Sequence, residues 1–143
     1  MEQKTDKLLN ADAATVARAA AFILIENKAQ DVRLYEVGEE NPITDFYLNV
    51  TARSLTNVSA LADELVYKLS LNGKEGARVE GKNGNSWILI DLGDLIVNVF
   101  DKEARAFYNL DRLMPEGTLV DISDVERAVD EKLKINRNED ITR

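Results

Sequence analysis

The residues of this chain that could act chemically are its carboxylates, lysines, tyrosines, serines and threonines, because it contains no histidine and no cysteine. That absence removes thiolate nucleophiles, disulfides, Cys/His zinc sites and any triad with an imidazole base. The chemistry left open is metal-assisted phosphoryl transfer, which needs paired carboxylates on one face and a loop that holds phosphates. The nearest approach to it is Gly84-Asn85-Ser86 followed by Asp91 and Asp94. No Asp-x-Asp pair falls on a predicted strand, and no helix start suits the phosphates. Three apart, Asp91 and Asp94 fall on opposite faces of a continuous strand, so only the turn at Leu92-Gly93 can bring them together. The expectation is a non-enzymatic protein with no cofactor and no metal site.

The same stretch reads more readily as a surface for binding another protein. Trp87, the only tryptophan, opens a strand beside a turn, where an indole serves either as an interface anchor or as a sheet-capping core residue. Asp91 and Asp94 make either an acidic edge for a basic partner or a pair of turn-formers. Arg105, Tyr108 and Arg112 lie in or just past a short helical turn, as interface contacts or as cover for the sheet. Asn98, polar in an apolar strand, is a satisfied buried amide or an exposed donor. Thr44-Asp45 caps a strand entry or joins the site.

The elements that must position these residues follow from pattern. Ala13, Val16, Ala17, Ala20, Ile23 and Leu24 recur at helical steps within Ala11 to Lys28, with Asn10 as the expected cap. Asp31 to Val37 alternates as a strand, and Asp45 to Ala52 is apolar enough for a central strand covered on both faces. A second helix, capped by Ser54 or Thr56, runs to Leu71 and stops at Asn72-Gly73. Ala77 to Glu80, a turn at residues 81–85 and Ser86 to Asp91 predict a hairpin. Leu95 to Phe100 is a second buried strand, continuing a meander and followed by a helical turn from Asp101 to Phe107. After Pro115-Glu-Gly117, Ser123 caps a last helix, about 121–135, with Val125, Ala128, Val129 and Leu133 on one face and a frayed tail at 136–143. The order predicts one α/β (α+β) domain: a mixed sheet of about five strands with flanking helices.

Composition narrows the partners. With 45% hydrophobic and 31% charged residues, the chain is an ordinary globular one, and 143 residues suffice for one core. The longest apolar run, Ala19 to Ile25, is far short of a membrane span, and the start Met-Glu-Gln-Lys lacks a signal-peptide layout, so a cytoplasmic protein with no membrane contact is expected. The 26 acids against 18 bases give a net charge of −8. A phosphate backbone would be repelled, so sequence-specific nucleic-acid binding is not expected and a basic protein is the more natural partner.

Trp87-Ile-Leu-Ile-Asp-Leu-Gly-Asp-Leu-Ile-Val-Asn-Val-Phe100, followed by Arg105-Ala-Phe-Tyr-Asn-Leu-Asp-Arg-Leu113, resembles the signature of the RsfS/Iojap family of ribosomal silencing factors. Lys28-Ala29, Asp31-Val32, Thr44-Asp45-Phe46-Tyr47, Ser54 and Val79-Glu80-Gly81 fall in family order upstream, so the likeness covers about residues 12–114. It implies a nucleotidyltransferase-like sheet without its catalytic residues. It also implies docking on the large ribosomal subunit through large-subunit protein fourteen, interference with subunit joining under nutrient limitation, and a homodimer when free. Three positions depart from the pattern: Asn98 stands where the family usually has His, Asp111 where it has Glu, and Met114 where it has Trp. Asn98 removes a titratable group, whereas Met114 keeps an apolar contact. The partner-binding set expected from residues and likeness together is Trp87, Asp91, Asp94, Asn98, Arg105, Tyr108, Arg112 and Met114.

Overall fold

The computed structural model describes residues 3–38, 40–81 and 84–142, with side chains in the last helix given as far as Arg137. Lys82 and Asn83 of the expected turn, and Arg143 of the expected frayed tail, lie outside the described residues. Helix α1 (Ala13–Glu26) begins one cap later than expected: the Asp12 carboxylate, not Asn10, accepts from the Thr15 backbone N–H at 2.8 Å. Asn10 and Asp12 are both good caps flanked by alanines, and the apolar period does not choose between them. Helix α2 (Leu55–Leu71) starts at the expected Ser54, whose hydroxyl accepts from Asn57 N–H.

Between and after these helices run β1 (Gln30–Glu36), β2 (Phe46–Thr51), β3 (Arg78–Glu80), β4 (Trp87–Asp91) and β5 (Leu95–Phe100). Then follow α3 (Lys102–Tyr108), a 3-10 turn (Leu110–Leu113), β6 (Leu119–Val120) and α4 (Ser123–Thr142). The strands form one mixed sheet in the order β3-β4-β5-β2-β1-β6, with β2 parallel to β5 and every other neighbour antiparallel. The expected five strands are thus six. The added β6 is two residues long and pairs Leu119 and Val120 with Tyr35 and Leu34, a partnership made across the whole sequence.

In α4, Ser123 is the first helical residue rather than the cap. Its N–H is taken by Asp121 at 2.9 Å, and backbone and side-chain hydrogen bonds from Ser123 hold the Asp121 carboxyl below its ordinary range. The helix also runs past the expected end to Thr142, because no Gly or Pro follows to stop it.

The two faces of the sheet differ. Leu34, Phe46, Leu48, Val50, Ile88, Ile90, Val97 and Val99 point into the core beneath α1 and α2, where Ala17, Leu24, Val58 and Leu65 are fully buried. Burying such side chains contributes roughly 1.5–3 kcal/mol each. Helix α4 lies outside α1, with Val125 and Val129 buried between them and ion pairs Arg18–Asp124 and Lys132–Glu26 along the seam. The alternate residues, Tyr35, Tyr47, Asn49, Thr51, Trp87, Ile96, Asn98 and Phe100, face the other way by strand register. Among the described residues, that second face is covered by α3 and the 3-10 turn.

Candidate functional site

The second face carries polar groups where an apolar strand pattern would not place them, and the register explains how they meet. β2 and β5 run parallel with Asn49 opposite Asn98, and β4 sets Trp87 opposite Phe100. The Trp87 indole Nε1–H donates to Asn98 Oδ1 at 3.0 Å, Asn98 Nδ2 donates to Asn49 Oδ1 at 3.0 Å, and Asn49 Nδ2 donates to Asp111 Oδ1 at 3.2 Å.

The carboxylate at the end of this row is reached because α3 stops abruptly. Asn109 takes the left-handed conformation at φ 45°, which Asn tolerates better than most residues, and the chain doubles back so that Asp111 faces Arg105. Arg105 grips Asp111 through Nε to Oδ2 at 2.7 Å and Nη2 to Oδ1 at 3.1 Å. Its Nη1 donates to the Asp31 carbonyl and the Thr51 hydroxyl, both at 3.0 Å, tying down the irregular start of β1. Tyr35 adds its hydroxyl to Asp111 Oδ1 at 2.8 Å. Burial alone would raise the Asp111 carboxyl, but the hydrogen bonds from Arg105, Tyr35 and Asn49, with the charge of Arg105, hold it below the usual carboxylate range. Tyr35 moves up, through burial first and then its bond to Asp111.

Above this bonded floor stands an aromatic ledge. Trp87 stacks on Phe100 with centroids 5.3 Å apart and tilts against Tyr108 at 4.8 Å, and Phe107 meets Tyr108 edge-on at 5.0 Å. Phe100 is fully buried, Trp87 half-buried, Tyr108 exposed and Phe107 81% exposed, a graded step from core to solvent. On the far side of the 3-10 turn, Tyr47, Leu110, Leu113, Met114 and Pro115 line an open apolar hollow of about 480 Å³. Leu113 and Ile43 are 64% and 66% exposed.

The structure therefore brings Trp87, Asn98, Arg105 and Tyr108 together, and puts Met114 at the hollow with Arg112 exposed on the turn beside it. Asn98 and Arg105 offer almost no side-chain surface, at 2% and 8% exposure, and act inside the site. Asp91 shares Trp87's face at the far end of β4, where it accepts from Gly93 N–H and pairs with Arg78 at 2.9 Å. Those two contacts, the Gly93 bond first, keep its carboxyl below the ordinary range. Asp94 is exposed in the β4–β5 turn, its carbonyl receiving Asp45 and Phe46 N–H. Thr44 is buried, with its hydroxyl on the Phe46 carbonyl, as a strand-entry cap. Sequence reasoning did not select Tyr35, Asn49, Thr51, Phe100, Phe107 or Asp111 as site residues. Phe100, Phe107 and Asp111 lay in the quoted signature without being given a contact role, and Asn49, a lone amide inside an apolar strand, was a further readable signal. Among the described residues no group of three or more acids stands close enough to hold a metal ion, and no helix is long and apolar enough to cross a membrane.

Known proteins are similar to this chain in sequence and in fold. The family described as "Ribosomal silencing factor during starvation" matches residues 10–142. The ribosomal silencing factor RsfS of Halalkalibacterium halodurans is 37% identical over 100 residues, which are 70% of this chain and 86% of that protein. The Bacillus subtilis protein of the same name is 30% identical over 108 residues, 76% of this chain and 92% of its own length. A crystal structure of a Bacillus halodurans protein superposes with a TM-score of 0.62 at 35% identity, covering 78% of this chain and 99% of that one. With most of its length matched in sequence and its fold matched in space, this chain belongs to the RsfS family of ribosomal silencing factors.

Proposed function

We propose that the protein docks on the large ribosomal subunit through large-subunit protein fourteen, using the face that carries Trp87. Bound there, it prevents the small subunit from joining and represses translation when nutrients are short, in the cytoplasm and without catalysis. The observation that carries this reading is the exposed Phe107–Tyr108–Trp87 ledge, with the Leu113–Met114 hollow across the 3-10 turn from it, apolar groups carried on a buried network whose side chains are already paired. A surface of this kind suits a partner rather than solvent, since exposed contiguous apolar groups mark binding sites. A network that needs no rearrangement also keeps the entropic cost of docking low. The net charge of −8 favours a basic ribosomal protein over bare RNA as the first contact. When free, the protein can pair with a second copy over the same apolar face.

The test is co-sedimentation of the purified protein with isolated large and small subunits, followed by light scattering of subunit joining. The expected result is pelleting with large subunits alone and slower joining. Equal pelleting with both subunits, or with neither, overturns the proposal.

A further inference from the structure

We propose that Asn49 and Asn98 are positioning residues for docking: together they form a directional relay that fixes the Trp87 indole from the Asp111 carboxylate and keeps the two halves of the docking face in mutual register. A side-chain amide can present either its oxygen or its nitrogen to a neighbour, but here both ends of the row leave no choice. Asp111 is bonded to Arg105 and, as a carboxylate, only accepts, so Asn49 must turn Nδ2 toward it and Oδ1 toward Asn98. Asn98 must then donate through Nδ2 and keep Oδ1 for the indole, which only donates. Each nitrogen in the row meets an acceptor oxygen. A flip of either amide would put like against like at two contacts, in a place where Asn49 is fully buried and Asn98 is 2% exposed.

The two ends belong to different parts of the face. Trp87 carries the aromatic ledge on β4, whereas Asp111 sits in the turn that also carries Leu110, Leu113 and Met114 around the hollow. Neither amide touches solvent enough to touch a partner, so their effect on docking is through the geometry of these two groups. The role in docking rests on the proposed function; the relay is tested on the free protein.

Because Trp87 is the only tryptophan, the folded chain gives one indole N–H resonance in a ¹⁵N–¹H correlation spectrum. In Asn49→Ala that resonance is expected to shift upfield, and its proton to exchange with solvent roughly fivefold faster or more, the size of one neutral hydrogen bond. The surface variant Asp94→Asn should leave it in place. An unmoved, unaccelerated indole proton in folded Asn49→Ala overturns the relay. Should that variant not fold, Asn49→Leu removes the same amide while keeping its volume, and an unmoved indole there is equally decisive. On large subunits, Asn49→Ala should weaken binding in the wild-type background and add nothing in Trp87→Phe, which keeps a ring but loses the N–H. Additive losses overturn the positioning role. Failure of the wild type itself to bind large subunits refutes the docking reading and leaves the indole result standing.

Discussion

Asp111 receives four hydrogen bonds from three side chains, Tyr35, Asn49 and Arg105 twice. It is the residue on which the site balances. Its carboxylate reaches Arg105 because Asn109 turns the chain back so sharply. Arg105 is 8% exposed, so removing its carboxylate leaves a buried cation with only Asp31 beside it, and loss of one member of a buried pair costs about 3–5 kcal/mol. The carboxyl is held below its ordinary value, so its contribution is present above about pH 4, the unfolded-state value, and is lost as pH falls through the lower folded value. Asp111→Asn should therefore unfold at markedly lower urea concentration at pH 7, and the gap to the wild type should narrow as pH is lowered below the ordinary carboxylate range. Urea midpoints at a series of pH values check this. Parallel acid limbs for the two proteins would show that the network does not favour the ionised form of Asp111.

At the scale of elements, the β3–β4 hairpin decides where Trp87 begins its strand. Gly81 leaves β3 at φ +78°, and a Cβ built there would stand 2.7 Å from the Trp87 carbonyl oxygen, so an added methyl must push backbone. Gly84, with φ +86°, has nothing within 4 Å and meets only the conformational penalty, about 1–2 kcal/mol. Gly81→Ala should be less stable than Gly84→Ala by denaturant melting and should perturb Trp87 fluorescence; equal stability would mean the turn relaxes without involving β4. The glycine itself was legible in the sequence as part of Val79-Glu80-Gly81, and so were α1, α2 and the body of α4, the hairpin, and the buried β2 and β5, since each has its period or a start or stop signal within a few residues. Strand β6 was not, because two residues cannot show alternation and their pairing to β1 is tertiary. The site was half legible for the same reason. Trp87, Arg105 and Tyr108 are conspicuous by type, but the bonds that unite them join residues 49, 54 and 62 positions apart. Local pattern carries no trace of such partners, and so the lone amide of Asn49 went unassigned.

For the molecule as a whole, charge and apolar surface should act on different rates. A chain of net charge −8 approaching a basic ribosomal protein is steered over a Debye length of about 10 Å at 0.1 M salt, so raising salt should slow association. The two aspartates near the β4–β5 turn do not share this work equally. Asp91 has the guanidinium of Arg78 at 2.9 Å, and the pair's distant field is largely cancelled, whereas Asp94 is exposed at the turn. Asp94→Asn should therefore reduce the salt dependence of association more than Asp91→Asn does, and the double variant should lose part of it without a large change in dissociation. In the docking proposed above, Trp87 acts after encounter. It is stacked on Phe100 and Tyr108 and half-buried, and truncating a central aromatic anchor typically costs 2 kcal/mol or more, about thirtyfold in affinity and mostly in dissociation. Kinetics on immobilised large subunits, after circular dichroism has confirmed each fold, separate the two effects. The expected order of affinity loss is Trp87→Ala well above Asp94→Asn, with salt slowing association of the first as it does the wild type's and of the second somewhat less. A folded Trp87→Ala that binds like the wild type would place the indole in the protein's own core or dimer contact, and would move the docking face away from β4.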